Sequence, residues 1–184
     1  MPELFAMLTL AMLTGGLHED GLADCADGFW GGESANRRLE IMKDSRIGAY
    51  GALAIVFSVL LIWMGLLEIG QDQFILSLIA ICALSRLPMV FAMYSLPNAR
   101  QTGMSAGVGV PSRLAVAIAT TLSVALSIAI FGWMGLPIFV FVILGTVPLF
   151  ITALRKLGGQ TGDVLGASQQ IAMIAGLIAI ILLT

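Results

Sequence analysis

The sequence predicts an all-α fold: a polytopic integral membrane helix bundle of about five full transmembrane helices, preceded by a truncated N-terminal helix and carrying cytoplasmic catalytic loops. Three observations predict it. Of 184 residues, 59% are hydrophobic and 11% charged, with a mean hydropathy of +1.01, whereas soluble domains carry about 25% charged residues. Five nearly uncharged runs approach the roughly 20 residues that a membrane helix needs. The basic residues between those runs all fall on one side. Cys25 and Cys82 are isolated, without disulfide or zinc spacing, and read as small buried residues.

Leu4–Leu13 is apolar but too short to span alone, and it lacks the basic flank of a signal peptide. It reads as the end of a longer helix, so hydrophobic sequence is expected upstream. Residues 18–46 are polar, acidic first and basic later. Ile47–Leu67 is the first full span, and Gln73–Ser95 the second, interrupted only by Arg86. Leu114–Met134 and Gly135–Leu154 follow, joined by the tight turn Gly132–Gly135. Pro137 and Pro148 are tolerable in the fourth span because neighbouring helices can satisfy the freed carbonyls. Gly166–Thr184 is the last span, polar at its start and cleanly apolar only from Ile171. The whole chain, residues 1–184, reads as one membrane-embedded catalytic domain.

Lys and Arg set the orientation. Arg37, Arg38, Lys43 and Arg46 precede the first full span. Arg100 and Arg113 lie in the connection Leu96–Arg113, and Arg155 and Lys156 lie before the last span. The connections Glu68–Asp72 and Gly132–Gly135 carry none. The positive-inside rule puts the three basic segments in the cytoplasm.

The stretch HEDGLADCADG, His18–Gly28, places four carboxylates within nine residues of an otherwise oily chain. Asp20, Asp24 and Asp27 are spaced i, i+4, i+7, so a helix stacks them on one face. Like charges stacked in this way repel unless a cation compensates. Hard oxygen donors suit Mg²⁺, which keeps waters and shares its remaining positions with substrate phosphates. Gly21 and Gly28 let a nucleotide approach the backbone closely. Glu19 points off that face, and the lone His18 reads as a hydrogen-bonding or structural residue.

Downstream, RRLEIMKDSR (Arg37–Arg46) is a topology anchor in which Lys43 and Arg46 can also clamp phosphates. Arg86 lies about nine residues into its span, roughly 14 Å deep at 1.5 Å per residue. A charge at that depth marks a functional site by default, and its expected partner is a cluster aspartate or a substrate phosphate. The loop GGQTGDVLG (Gly158–Gly166) is not a Walker A loop, because the Gly-Lys-Ser/Thr ending is absent. Asp163 and Gly162 there, with Asn98 and Arg100 in the middle loop, are candidate contacts to a phosphate or metal.

TGGLHEDGLADCADG (Thr14–Gly28), RRLEIMKDSRIGAYG (Arg37–Gly51), LSR (Leu84–Arg86) and GGQTGDVLGASQQ (Gly158–Gln170) together resemble the cobalamin-5'-phosphate synthase family, or adenosylcobinamide-GDP ribazoletransferases. The resemblance implies a multi-pass enzyme of the bacterial inner membrane, with its active site facing the cytoplasm, acting late in vitamin B12 assembly. It implies joining of adenosylcobinamide-GDP to α-ribazole or its 5'-phosphate with release of GMP, and a requirement for Mg²⁺. It assigns Glu19, Asp20, Asp24 and Asp27 to metal and Lys43–Arg46 to the Lys-Asp-Ser-Arg motif. Cys25 stands where the family often has threonine. Under this assignment Asp27 or Asp44 accepts the proton of the attacking hydroxyl, while Lys43, Arg46 and Arg86 offset developing charge. Membrane lipids are expected partners, nucleic acid is not, and homo-oligomerisation stays open.

Two other readings remain. A CDP-alcohol phosphotransferase would share the Asp-Gly-rich motif, but Ala23 is followed by Asp24 rather than by arginine. A divalent-cation transporter would use the acidic cluster as a pore mouth, but it would want ionisable groups spread across the bilayer.

Overall fold

The computed structural model describes residues 1–70, 72–100 and 102–184. Helix α1 (Pro2–Thr14) ends at Gly15 and Gly16, whose φ angles of 63° and 70° reverse the chain into α2 (Leu17–Gly31). The acidic run is therefore helical, the condition under which Asp20, Asp24 and Asp27 share a face. The short α3 (Ala35–Ile41) is capped by Ser34, whose hydroxyl accepts from the Arg37 amide. Helix α4 (Ala49–Glu68) is the first long apolar helix.

The second span is broken. Helix α5 (Phe74–Leu84) stops at Ser85 and α6 (Leu87–Ser95) begins after Arg86. Pro88 has no N–H for the Leu84 carbonyl, and its ring crowds that carbonyl, so the helix cannot run through. Arg86 therefore sits at a break inside the span. The five-residue α7 (Met104–Val108) leads to α8 (Arg113–Phe131). A 3₁₀ turn at Gly132–Met134 then doubles the chain back into α9 (Gly135–Leu157). Ser127 Oγ donates to the Gly135 carbonyl across that turn, as the predicted tight hairpin requires. Helix α10 (Gly162–Leu183) completes the order, capped by Thr161, whose hydroxyl accepts from the Val164 amide at 3.3 Å.

Among the described residues, four helical stretches are long and apolar enough to cross a membrane: Ala49–Glu68, Phe74–Ser95, Arg113–Leu157 and Gly162–Leu183. The third, at 45 residues, is the α8–α9 hairpin, so it supplies two crossings. Outward-facing Phe57, Leu61, Leu122 and Leu144 are exposed, an apolar surface that only lipid satisfies.

Helix α10 is the hub. It packs against α2, α4, α5, α6 and α9, and 72% of its apolar window is buried against 28–39% for the other spans. It begins at Gly162, four residues before the predicted Gly166, because its polar first turns face protein. Ser168, Gln169 and Gln170 are all buried. One apolar core gathers Leu66, Ile81, Leu84, Ile138, Val142 and Leu177. A second, under the basic layer, gathers Cys25, Phe29, Met42, Leu157 and Val164.

The α2–α10 crossing is close because both helices present glycine there. A Cβ on Gly21 would lie 2.6 Å from the Asp163 carbonyl oxygen, and one on Gly166 would lie 2.8 Å from that of Leu17. Small residues of this kind let membrane helices approach backbone to backbone. Gly21→Ala is therefore expected to lower the melting temperature in detergent, at a cost of about 1–3 kcal/mol. Gly107→Ala, whose Cβ meets nothing within 4 Å, leaves it unchanged. Equal melting curves for the two variants would refute the close crossing.

Candidate active site

The three aspartates share a face of α2 but not a destination. Both oxygens of Asp27 are engaged by backbone amides at the start of α4: Gly48 N–H donates to Oδ2 at 2.7 Å and Gly51 N–H to Oδ1 at 2.9 Å. Gly48 offers no capping side chain, so the carboxylate of another helix caps α4 and complements its positive end. Glycine is required at both positions, because a Cβ there would collide with the Asp27 carboxylate. This contact explains the Ile47-Gly48-Ala49-Tyr50-Gly51 ending of the second motif.

Asp20 and Asp24 instead line a cavity of about 390 Å³, together with Lys43, Asp44, Ser45 and Arg46. Carboxylates and cations thus line one space of ligand size. Arg46 is held by Asp44 in an exposed ion pair at 2.6 Å, and its hydrogen bonds pull the Asp44 carboxyl down to about 2. Burial pushes the Asp24 carboxyl up to about 7, helped by the neighbouring charges of Asp163 and Asp20 and opposed by Arg100. Cys25 is fully buried and its thiol is pushed well above its ordinary value, which leaves it inert.

Asp20 also borders a second cavity of about 390 Å³ beside Arg100, Thr161, Gly162 and Asp163. Arg100 pairs with Asp163 at 2.9 Å and donates to the Leu39 carbonyl at 3.2 Å. The two loops behind this pair are stitched together: the Ala99 amide donates to the Gln160 carbonyl at 2.8 Å, and the Gln160 amide to that of Pro97 at 2.9 Å. Asn98 turns its side chain to Ser105 and does not line either cavity.

Glu19 and Arg86 lie apart from both. They border a third cavity of about 270 Å³ inside the bundle, between α1, α2 and α10, together with His18. Arg86 Nη1 donates to the Cys82 carbonyl at 2.6 Å, and among the described residues it forms no ion pair with a cluster aspartate. Glu19 Oε1 accepts from Gln170 Nε2 at 3.1 Å, while its Oε2 is buried without a partner. Gln170 Oε1 accepts from Ser58, and Gln169 donates to Ser85. This hydrogen-bond chain ties α2, α4, α10 and the α5–α6 break together. Gln169 and Gln170 were visible only as part of a motif. Lys156 also does more than set topology: its Nζ donates to the Phe29 carbonyl at 2.6 Å and lies 3.7 Å from the Trp30 ring centroid, so it closes the carbonyl end of α2.

Among the described residues, no three His, Cys, Asp or Glu side chains converge as a metal-binding group. Mg²⁺ asks for less, one or two carboxylates plus waters and substrate phosphates. Asp20 and Asp24 fit that demand, because both line one cavity with hard carboxylate oxygens.

Two outcomes are expected. The raised Asp24 carboxyl penalises the fold only when it is ionised, so the penalty is absent below about pH 4 and complete above about pH 7. In metal-free protein, Asp24→Asn should therefore raise the melting temperature at pH 8 and hardly change it at pH 4; equal shifts would refute the burial. Gln170→Leu leaves the Glu19 carboxylate without a buried donor and should destabilise by about 1–3 kcal/mol, read as a drop in melting temperature.

The chain matches the protein family described as Cobalamin-5-phosphate synthase over residues 1–181. It is similar to the adenosylcobinamide-GDP ribazoletransferase of Azorhizobium caulinodans, at 45% identity covering 97% of this chain and 71% of that protein. The ribazoletransferases of Mesorhizobium japonicum and Rhizobium meliloti are 44% and 43% identical, each covering 94% of this chain and 67% and 70% of the relative. No solved structure matches the chain. These relatives bear out the ribazoletransferase reading of the acidic run. A helical membrane bundle with this order of motifs, matched from end to end, belongs to the cobalamin-5-phosphate synthase family.

Proposed function

We propose that the chain joins adenosylcobinamide-GDP to α-ribazole or its 5'-phosphate, releasing GMP, and that it does so with Mg²⁺ at the cytoplasmic face of a bacterial inner membrane. Family membership and the names of the relatives support the substrates. The one-sided Lys and Arg distribution supports the orientation. The observation that carries the reading is the single cavity lined by Asp20, Asp24, Lys43 and Arg46.

The reaction exchanges a phosphoanhydride partner of the cobinamide-linked phosphorus for an ester partner. A ribose hydroxyl forms the new P–O bond to the cobinamide-linked phosphorus, the phosphoanhydride breaks, and GMP leaves with the bridging oxygen. Positioning and charge neutralisation dominate such transfers. Lys43 and Arg46 draw the pyrophosphate into the cavity and hold it in a fixed pose. Asp20 and Asp24 would hold Mg²⁺, whose chemistry there is to neutralise charge on the bridging and leaving oxygens. Asp27 is better suited to fixing the start of α4 than to taking a proton, because both its oxygens already accept amide bonds. Asp44, held near 2 by Arg46, is a weak base at neutral pH. A loose transition state asks little of a base, since the hydroxyl proton is lost late.

Purified protein in liposomes should release GMP only with both substrates and a divalent cation, and EDTA should abolish the release. Asp24→Asn should cost roughly 10²–10³ in turnover, the scale for removing one group that stabilises transition-state charge. Undiminished GMP release in Asp24→Asn would overturn the assignment.

A further inference from the structure

We propose that the second cavity is the seat of the ribazole base and that Met89 and Met93 are its specificity-determining wall, so that the two substrates enter from opposite sides of Asp20. The inference rests on the ribazole transfer proposed above and adds where each substrate binds.

The two cavities are of equal size, about 390 Å³ each, within the usual range for small-molecule sites. Their chemistry differs. The first is walled by Lys43 and Arg46, which suit a pyrophosphate. The second is walled by Met89, Met93, Leu17, Leu165 and Val108. Met89 and Met93 are an i, i+4 pair on α6 and so present one continuous thioether surface. Thioethers pack well against aromatic faces and adapt to differing outlines. The cation of this cavity, Arg100, is already paired with Asp163 and the Leu39 carbonyl. Among the described residues Lys43 of the first cavity forms no ion pair, whereas Asp163 neutralises Arg100, so the second cavity suits a flat bicyclic base on its apolar wall better than a pyrophosphate. Asp20 at the polar side offers a partner to a ribose hydroxyl. Asp20 lines both cavities, so under this proposal the attacking hydroxyl and the phosphorus approach its carboxylate from the two sides.

The test is steady-state kinetics of GMP release, with each substrate varied in turn. Met93→Ala should raise the KM for α-ribazole at least about ten-fold, the scale of lost contact in an apolar pocket. The KM for adenosylcobinamide-GDP should stay within about two-fold and kcat should change little, while Met93→Leu restores near wild-type values. Val108 is 72% exposed at the cavity rim, so Val108→Asp spares folding and carries the same test if Met93→Ala lowers the folded yield. Lys43→Ala should show the reverse pattern. An unchanged KM for α-ribazole in both Met93→Ala and Val108→Asp overturns the subsite. So does a rise confined to adenosylcobinamide-GDP, which would seat guanine there instead. Wild-type protein that releases no GMP overturns the reaction itself, a failure distinct from these.

Discussion

The near-contact of α2 with α10 is the constraint on which the rest depends. Neither helix suits lipid alone: α2 carries four acids, and the first turns of α10 carry Asp163, Ser168, Gln169 and Gln170. Brought together, their polar groups supply one another with partners. Gly21 and Gly166 make the approach possible, since any side chain at either position would strike the backbone of the facing helix. From that one crossing follow the ion pair at Asp163, the buried glutamines, and a cavity on each flank of Asp20.

Much of the fold was legible because a bilayer imposes simple demands. Spans of about the right length, their connections and the hairpin at Gly132 all follow from hydropathy and glycine placement. Two features did not. The break at Ser85–Arg86 is invisible to hydropathy, which averages through a proline whose effect falls on the carbonyl four residues earlier. The start of α10 at Gly162 was misplaced because polar residues there suggested exposure. They are instead the most enclosed part of the helix, and no scale that scores residues singly can know what they face.

The site was legible as chemistry and less so as geometry. Asp20, Asp24, Lys43 and Arg46, singled out from two separate motifs, line one cavity. Glu19, one residue from Asp20, turns to another face of α2 and meets Gln170, the result of about 100° of rotation per residue. Asp27 satisfies the helical spacing, yet a neighbouring helix start claims its carboxylate. Such a cap in trans requires knowing which element lies alongside. The depth of Arg86 was readable; that it would donate to the Cys82 carbonyl in its own segment was not.

The placement of α10 bears on how the molecule is made. Every helix it touches, from α2 to α9, is translated before it, so the nascent bundle waits in the bilayer with an open axial slot. Ser58, Ser85 and Glu19 would each lack a hydrogen-bond partner there until α10 arrives. A chain that stopped before Thr161 would leave all three without the glutamine partners that α10 brings.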